Sequence, residues 1–215
     1  MQFIAQKTII PVPRVYCAFR HKEVTYIVME RLEGNYVGQG WVRRSKESKQ
    51  IIFDQLIHMI KQMRDLAPPE HVGVANVNGD SLFDGRLPAA LDRLRFGPFK
   101  SVVAFHDYLR RGIMEGPSPY PEVGELIAMH QREWPLRFTH GDLSSLNILA
   151  NGDKVTGIVD WETAGWYPSY WEYTSAWYVN PQNEFWREEV DKFIKPMPEA
   201  LAMDQLRLKY FGEFT

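Results

Sequence analysis

Two short apolar runs near the start of the chain, residues 15–19 and 24–29, form the first clear hydrophobic pattern of the sequence. The polar residues 20–23 separate them, and this arrangement is typical of a β-hairpin. Residues 1–10 have helical spacing but no preceding cap, so we expect them to form the last turns of a helix.

Helical spacing dominates the rest of the chain. Apolar residues recur at steps of three and four over residues 43–66, which predicts a long amphipathic helix. Further helices are predicted over residues 101–111, with Ser101 as the N-terminal cap, over residues 123–132, and through most of the stretch 168–210.

Short strand patterns interrupt this helical region at residues 137–139, 147–149 and 155–160. The sequence therefore predicts an α+β fold. Most of it is helical, with one early β-hairpin and a second small β element later in the chain.

The composition is that of an ordinary globular protein. The 215 residues carry a formal net charge of -2, and 45% of them are hydrophobic. A nearly neutral chain has no electrostatic reason to bind nucleic acid or an anionic membrane, so we expect neither as a partner. No apolar run approaches the roughly 18 residues of a membrane span, and the first residues lack a signal-peptide layout. We therefore expect a cytoplasmic location.

Cys17 is the single cysteine, and its apolar neighbours favour a position in the core.

One motif contains the residues with the clearest chemistry. His140, Gly141 and Asp142 are followed by Asn147, and a later apolar run ends at Asp160. Phosphoryl transfer needs an acceptor for the proton of the attacking hydroxyl group and ligands for magnesium ions. An Asp on a loop, an Asn at the end of that loop and an Asp after the next strand supply these groups in the order of the protein-kinase template. The alternative is a β-hairpin in which Asp142 and Asn147 are ordinary turn residues.

The segments around this motif resemble a known family. The stretch HGDLSSLNIL at residues 140–149 and the stretch GIVDWETAGWYP at residues 157–168 resemble the aminoglycoside-phosphotransferase family, which has a protein-kinase-like fold. Residues 10–16 and 26–34 also match and are most similar to fungal members, so the resemblance covers nearly the whole chain. The Trp-Tyr pair at residues 166–167 departs from the Gly-Asp that is common in the family.

The resemblance implies a role for each residue of the motif. Asp142 would be the catalytic base, and Asn147 and Asp160 would hold Mg²⁺. His140 would brace the catalytic loop. Glu172 stands where the family often has an acidic residue that steadies this loop, and a surface position on a helix is an equal alternative.

The resemblance also implies two lobes. Residues 1–33 would be a partial N-terminal lobe with a helix end, the hairpin and the interlobe hinge, and residues 34–215 would be a helical C-terminal lobe. The hinge backbone, which would face the adenine ring of ATP, comprises Met29, Glu30, Arg31 and Leu32. The Gly-rich loop and the phosphate-binding Lys of the family would precede residue 1, so we expect weakened nucleotide binding.

Two functions of different classes follow from these observations. One is an ATP- and Mg²⁺-dependent phosphotransferase that acts on a hydroxyl group of a small molecule. The other is a pseudokinase-like module that binds a small molecule without turnover. A hairpin with an unpaired edge also favours association with a second copy, so we expect a homodimer.

The C-terminal half suggests two further features of the surface. Many aromatic residues lie between positions 161 and 178, and we expect some in the core and others on a surface that stacks against an aromatic or mixed metabolite. The charged run at residues 184–191 is expected to form the solvated face of a helix.

Overall fold

Helices and strands follow one another in blocks along the chain. A computed structural model describes residues 1–87, 95–113, 120–178 and 184–212. The α-helices are α1 (Gln2–Lys7), α2 (Lys46–Arg64), α3 (Val102–Leu109), α4 (Pro121–His130), α5 (Trp171–Tyr178), α6 (Glu184–Val190) and α7 (Pro198–Phe211). The strands are β1 (Val15–His21), β2 (Val24–Met29), β3 (Asn35–Tyr36), β4 (Leu136–Thr139), β5 (Ile148–Asn151), β6 (Lys154–Ile158) and β7 (Gly165–Pro168), and Trp41–Arg43 form a short 3₁₀ helix.

Most of the predicted elements are present. Ser101 caps α3 as expected, because its hydroxyl oxygen accepts the N–H of Ala104 at 3.1 Å. The pattern missed β7, since all four of its residues are buried and none of the alternation of a half-buried strand remains. Residues 179–183, which belong to the stretch predicted to be helical, lie outside the described residues.

The chain forms two compact units, and each consists of three segments. The first unit contains Met1–Leu66, Asp142–Trp161 and Ala176–Ile194. The second unit contains Ala67–Gly141, Glu162–Ser175 and Lys195–Thr215. The two units are defined by the packing of the chain, whereas the expected lobes at residues 1–33 and 34–215 come from a family resemblance. The units therefore do not test the lobes, which stay a prediction.

The β1–β2 hairpin has a tighter turn than the sequence predicted. Residues 20 and 21 belong to β1, and only Lys22 and Glu23 form the turn, with φ angles of 47° and 63°. Two-residue hairpin loops favour this left-handed backbone because its twist matches that of the paired strands. Both faces of the hairpin are exposed. Cys17 is therefore exposed as well, and the expected core position was wrong.

A three-stranded antiparallel sheet in the order β3-β5-β6 organises the first unit. Helix α2 packs against β6, and Gln55 of this helix joins the two elements. Its Nε2 donates to the carbonyl oxygen of Asp153 at 2.7 Å, and its Oε1 accepts the N–H of Val155 at 3.0 Å. The long helix predicted from apolar spacing thus fixes the sheet whose strands β5 and β6 follow Asn147 and precede Asp160 in the chain.

Helix α6 of the first unit is only partly solvated. Glu184 and Glu188 are exposed, as the charged run predicted. Glu189 is buried, and its Oε1 accepts the indole N–H of Trp41 at 2.9 Å. The prediction of a fully solvated charged face was therefore wrong at Glu189, because one carboxylate serves as the hydrogen-bond partner of a buried tryptophan.

The second unit extends the β4–β7 pair by a third segment. Ala75 and Trp166 exchange two backbone hydrogen bonds, with N···O distances of 3.3 and 2.8 Å. Trp166 is also the partner of Phe138 in β4, so β7 lies between β4 and the segment that contains Ala75. The core of this unit includes Val74, Leu82, Phe96, Phe105, Leu126, Tyr167, Tyr170, Trp171 and Met203.

None of the helices within the described ranges is long and apolar enough to cross a lipid bilayer.

Two histidine rings are stacked inside the second unit. The ring centroids of His106 and His130 lie 4.0 Å apart, with 9° between the planes. His106 Nδ1 lies 3.0 Å from the carbonyl oxygen of His130, and its Nε2 lies 2.9 Å from the hydroxyl group of Tyr170. Arg110 Nη1 lies 2.5 Å from His130 Nδ1. Since guanidinium only donates, His130 must accept at this atom and is neutral.

Burial disfavours the charged form of both rings. It lowers the pKa of His106 to about 4. Burial, followed by the neighbouring His106 and Arg110, lowers the pKa of His130 to about 2. Because the unfolded chain binds protons near pH 6.5 and the folded protein does not, the free energy of unfolding decreases as the pH falls below this value.

We expect the protein to lose stability on acidification from pH 6.5 towards pH 4. His106 alone accounts for a loss on the order of 3 kcal/mol over this range, at 1.36 kcal/mol per pKa unit. Urea unfolding at a series of pH values measures the effect. In His106→Gln the pH dependence should become less steep by the His106 contribution while that of His130 remains. In the control His58→Gln, at an exposed position of α2, it should not change. Equal pH dependence in all three proteins would contradict the assignment.

Candidate active site

The loop after β4 folds back on itself through one amide side chain. Asn147 Nδ2 donates to Asp142 Oδ2 at 2.8 Å and to the carbonyl oxygen of Asp142 at 3.0 Å. The N–H of Ser144 donates to the same carbonyl oxygen at 2.9 Å. Asn147 is buried, so water competes little for these bonds. The loop therefore holds the Asp142 carboxylate in one orientation.

The end of β6 lies beside this loop in the first unit. The N–H of Val159 donates to the carbonyl oxygen of Asn147 at 2.9 Å, and Asp160 is the next residue in the chain. Asp160 is exposed and has a φ of 62°, which is uncommon for a residue other than glycine. Backbone strain of this kind is often found at functional sites. The structure thus places Asp142, Asn147 and Asp160 in the same unit.

The oxygen atoms of these residues suit a hard divalent cation. Asn147 donates from its amide nitrogen to Asp142, which leaves Oδ1 as the amide atom that can bind a metal ion. The carboxylate of Asp160 is exposed. Amide and carboxylate oxygens are the ligands that Mg²⁺ prefers. The described residues contain no group of three or more His, Cys, Asp or Glu side chains that could hold a metal ion.

The predicted hinge also lies in the first unit. The N–H of Glu30 donates to the carbonyl oxygen of Arg14 at 2.8 Å, and the N–H of Arg14 donates to the Glu30 carboxylate at 3.1 Å. Leu32 packs against the backbone of Gly157 in β6, where an added Cβ would lie 2.0 Å from Leu32 Cδ1. Met29 and Arg31, the other two predicted hinge residues, are exposed.

A buried carboxylate holds the start of the motif in the second unit. Glu172 Oε2 accepts the N–H of His140 at 2.7 Å, and Glu172 Oε1 accepts the N–H of Gly141 at 3.2 Å. Glu172 is 1% exposed and His140 is fully buried. The surface alternative for Glu172 is therefore wrong, and its carboxylate contacts the backbone of the motif directly.

Thr163 binds the peptide group between His140 and Gly141 at its carbonyl oxygen, opposite the N–H group that donates to Glu172. Its hydroxyl group donates to the carbonyl oxygen of His140 at 2.7 Å, and its own carbonyl oxygen accepts the hydroxyl group of Tyr167 at 3.2 Å. Gly141 has a φ of 84°, and a Cβ at this position would lie 3.0 Å from Thr163 Oγ1. No sequence pattern pointed to Thr163, because a threonine directly after the stretch Asp160-Trp161-Glu162 cannot be told from an ordinary loop residue.

Trp171 precedes the bracing glutamate and is surrounded by aromatic rings and cations. Its indole ring is stacked on Tyr167 at 5.4 Å and meets the edge of Phe105 at 5.1 Å. The guanidinium groups of Arg86 and Arg207 lie 5.5 and 6.0 Å from the ring centroid. Contacts of this kind each contribute roughly 0.5–2 kcal/mol. They fix the first turn of α5, from which Glu172 reaches the motif.

The aromatic residues between positions 161 and 178 mostly belong to the core. Trp166, Tyr167, Tyr170, Trp171 and Tyr173 are all buried. The expectation that part of this group forms a surface for stacking an aromatic ligand is therefore wrong for Trp166, Tyr167, Trp171 and Tyr173, whereas the burial of Tyr170 confirms the expectation that others lie in the core. Their number reflects the packing of α5 and β7 against the rest of the second unit.

Comparisons with known proteins identify the family and the fold of the chain. The sequence matches the phosphotransferase enzyme family over residues 1–204. A comparison with curated proteins finds no match. Among solved structures, the fold is similar to that of a thermostable mutant of aminoglycoside phosphotransferase APH(4)-Ia in ternary complex with AMP-PNP and hygromycin B. The TM-score is 0.66 at 13% identity, over 97% of this chain and 71% of that chain.

Two further solved structures have the same fold. One is aminoglycoside-3'-phosphotransferase of type VIII, with a TM-score of 0.53, 16% identity and coverage of 98% of this chain and 77% of that chain. The other is the streptomycin-ATP-APH(2")-IIa ternary complex, with a TM-score of 0.54, 12% identity and coverage of 97% and 68%. At these identities the comparison establishes the fold, and the predicted α+β, kinase-like fold is confirmed.

We expect Glu172→Gln to loosen the backbone at His140 and Gly141. The neutral amide removes the charge from two hydrogen bonds and turns an N–H donor towards one of them, at a cost of about 1–3 kcal/mol in the free energy of unfolding. Hydrogen exchange read by mass spectrometry should show faster exchange at these two amides.

Glu188→Gln is the matched control, since Glu188 is an exposed glutamate of α6. It should leave both the exchange rates and the unfolding free energy as they are in the unchanged protein. Unaltered exchange at His140 and Gly141 in Glu172→Gln would show that the carboxylate does not brace this backbone.

Proposed function

This chain belongs to the phosphotransferase enzyme family, and we propose that it transfers the γ-phosphoryl group of ATP to a hydroxyl group of a small molecule. The observation that carries this proposal is the double hydrogen bond from the Asn147 amide to Asp142. It presents a carboxylate and leaves an amide oxygen for a metal ion, which are the two groups that phosphoryl transfer requires.

Asp142 acts as the proton acceptor in this proposal. The oxygen of the substrate hydroxyl group forms a bond to the γ-phosphorus, the bond from the γ-phosphorus to the bridging oxygen breaks, and ADP leaves with the electron pair. The hydroxyl proton passes to the Asp142 carboxylate. Asn147 keeps this carboxylate in place during the transfer, so the orientation is set before the substrate arrives.

Asn147 Oδ1 and the Asp160 carboxylate are the proposed ligands of Mg²⁺. When bound, Mg²⁺ neutralises the negative charge that develops on the phosphate oxygens. The backbone of residues 29–32 is the proposed adenine-binding hinge. Nucleotide binding is further supported by the similar solved structures, which include complexes with ADP, ATP and AMP-PNP.

His140 has a positioning role in this proposal. Its backbone N–H is bonded to Glu172 and its carbonyl oxygen to Thr163, so the residue before the Gly141–Asp142 peptide is held at both polar groups. The loop then does not have to reorganise when the substrate binds or the product leaves. A preorganised loop of this kind lowers the activation free energy most where charge develops in the transition state.

We expect Asp142→Asn to lower phosphoryl transfer by about 100-fold or more, the usual contribution of a general base. The assay is transfer from radiolabelled ATP to a panel of hydroxylated small molecules in the presence of Mg²⁺. Asp54→Asn, at an exposed position of α2, is the control and should keep full activity. Equal activity of Asp142→Asn and the unchanged protein would refute the assignment of the base.

The same panel separates the proposal from its alternative, a pseudokinase-like binding module. A compound that raises the melting temperature of the protein and is never phosphorylated, with or without added ATP, would favour the binding module. A compound that is phosphorylated by the unchanged protein and bound without turnover by Asp142→Asn supports the phosphotransferase.

We also propose that the protein acts in the cytoplasm as a homodimer, formed through the β1–β2 hairpin. Apolar side chains of both strands are exposed, among them Phe19, Tyr26 and Ile27, with 50%, 45% and 48% of their surfaces accessible. A two-stranded sheet with apolar faces and free edges is a template for pairing with another chain.

Sedimentation equilibrium tests the dimer. We expect a dimer for the unchanged protein and a monomer for Ile27→Lys, because a lysine on the strand opposes both apolar contact and edge pairing. Ile57→Lys, at an exposed apolar position of α2, is the control and should remain dimeric. A monomer for the unchanged protein over the whole concentration range would end this proposal.

A further inference from the structure

A buried tryptophan of α6 contacts the loop that carries Asp142 and Asn147. The indole Nε1 of Trp186 donates to the carbonyl oxygen of Leu143, the residue after Asp142, at 3.0 Å. Trp186 is fully buried and Leu143 is 1% exposed, so water has little access to either group. All four residues belong to the first unit. The proposed mechanism gives Trp186 no role, although its indole group reaches the backbone next to the proposed base.

The Leu143–Ser144 peptide group connects Trp186 to the network around Asp142. Its carbonyl oxygen accepts the indole N–H, and its own N–H, that of Ser144, donates to the carbonyl oxygen of Asp142 at 2.9 Å. Asn147 Nδ2 donates to the same Asp142 carbonyl oxygen at 3.0 Å and to the Asp142 carboxylate at 2.8 Å. One peptide plane therefore lies between the indole group and the amide that orients the carboxylate. Hydrogen bonds in such a chain strengthen one another.

Aromatic rings hold the indole group of Trp186 at a fixed angle. It meets Trp41 edge to face, with ring centroids 5.1 Å apart and 74° between the planes, and its centroid lies 5.3 Å from that of Phe193. Phe53 of α2 contacts both neighbours, at 5.4 Å from Trp41 and 6.0 Å from Phe193. Closely packed side chains of this kind keep one rotamer. The Trp186 N–H therefore has one direction and favours one orientation of the peptide that accepts it.

A buried carboxylate fixes Trp41 in turn. Trp41 donates its indole N–H to Glu189 Oε1 at 2.9 Å. Lys49 Nζ lies 3.5 Å from the same oxygen, and Lys192 forms an ion pair with Oε2. Both tryptophans thus have their N–H groups paired, one with a carboxylate and the other with the loop. Neither ring can rotate without breaking a hydrogen bond in the interior of the first unit.

The loop is held at a second point by Gly38. The N–H of Gly38 donates to the carbonyl oxygen of Ser145 at 3.1 Å. A Cβ at Gly38 would lie 2.5 Å from Ser145 Oγ, so the two segments are in close contact. The loop from Asp142 to Asn147 is therefore held by two segments that are distant from it in the sequence. Of these two contacts, the one from Trp186 lies nearer in the chain to the proposed base.

We propose that Trp186 is a positioning residue of phosphoryl transfer, whose indole N–H sets the Leu143–Ser144 peptide and thereby the orientation of the Asp142 carboxylate. The inference rests on the proposed function for the reaction and on the hydrogen bonds of the loop for the positioning. Trp186 acts through the loop and not on the reacting groups. Without its N–H, the buried Leu143 carbonyl oxygen loses its donor, and the peptide turns to find another. The bonds from Ser144 and Asn147 to Asp142 then loosen together.

Two replacements remove this N–H group. Trp186→Phe keeps an aromatic ring of smaller size. Replacement of Trp186 by benzothienylalanine, in which a sulfur atom takes the place of the indole N–H, removes the donor at nearly constant shape. The second protein keeps the test decisive if the smaller ring of Trp186→Phe unfolds the chain.

The first measurement follows the side-chain amide of Asn147 by NMR of ¹⁵N-labelled protein, with its resonances assigned by their absence in Asn147→Asp. We expect these amide protons to exchange with water at least about tenfold faster in both Trp186 proteins. The backbone amide of Val155, which donates to Gln55 elsewhere in the first unit, should keep its exchange rate. This difference separates a local change in the loop from a general loss of stability.

Trp134→Phe is the matched control. Trp134 also donates its indole N–H to a backbone carbonyl oxygen, that of Met129, at 3.1 Å, but it lies in the second unit. The variant removes the same kind of hydrogen bond at a place without contact to the loop after β4. It should leave the exchange of the Asn147 amide as it is in the unchanged protein.

The second measurement is steady-state transfer from ATP to an acceptor found in the panel of hydroxylated compounds. We expect both Trp186 proteins to have a kcat lower by roughly tenfold, because the proposed base is less well oriented. The KM for ATP should stay within about twofold, since the change affects the position of the base and not the proposed adenine-binding hinge. Trp134→Phe should keep both values.

Unchanged exchange of the Asn147 amide in the benzothienylalanine protein would overturn the inference, whether or not the protein transfers phosphoryl groups. Faster exchange with an unchanged kcat would overturn the positioning role in the reaction. If the unchanged protein phosphorylates no compound of the panel, the proposed function fails. The NMR measurement then still decides whether Trp186 orients the loop.

Discussion

The contact between the Glu172 carboxylate and two successive backbone amides fixes the point where the chain enters the loop after β4. Both oxygens of this carboxylate are used, one for His140 and one for Gly141. A buried charge costs several kcal/mol in desolvation, and charge-assisted hydrogen bonds must offset it. This arrangement favours one conformation of the backbone, since any other conformation leaves a buried charge without these partners.

The aromatic core of the second unit supports this contact. Trp171 precedes Glu172 and is held by Tyr167 and Phe105, with two guanidinium groups near its ring. Tyr167 also reaches the carbonyl oxygen of Thr163, so one side chain joins the core to both braces of the motif. The density of aromatic residues in this part of the sequence therefore has a structural cause, the rigid placement of the first turn of α5.

In the first unit, a different contact orients the side chains to which we assign the chemistry. A single amide, that of Asn147, spans the loop and sets the orientation of Asp142, while β6 brings the exposed Asp160 beside it. The braced backbone and the side chains to which we assign the chemistry thus belong to different parts of the chain. This combination suits the proposed function, because groups that transfer protons or bind metal ions must be accessible, whereas the backbone that carries them must not move.

Short-range patterns were sufficient for the elements and for the order of the motif residues. The hairpin, the amphipathic helix α2, the Ser101 cap, and the spacing of Asp142, Asn147 and Asp160 depend on neighbours a few positions away, so the amino-acid sequence alone determines them. Folding decided what depends on distant partners. Glu172 is a buried brace and not a surface residue, Cys17 is exposed and not in the core, and β7 is a strand without alternation. The hydrogen bond from Trp186 to Leu143 likewise joins residues 43 positions apart in the chain, for which no local pattern exists.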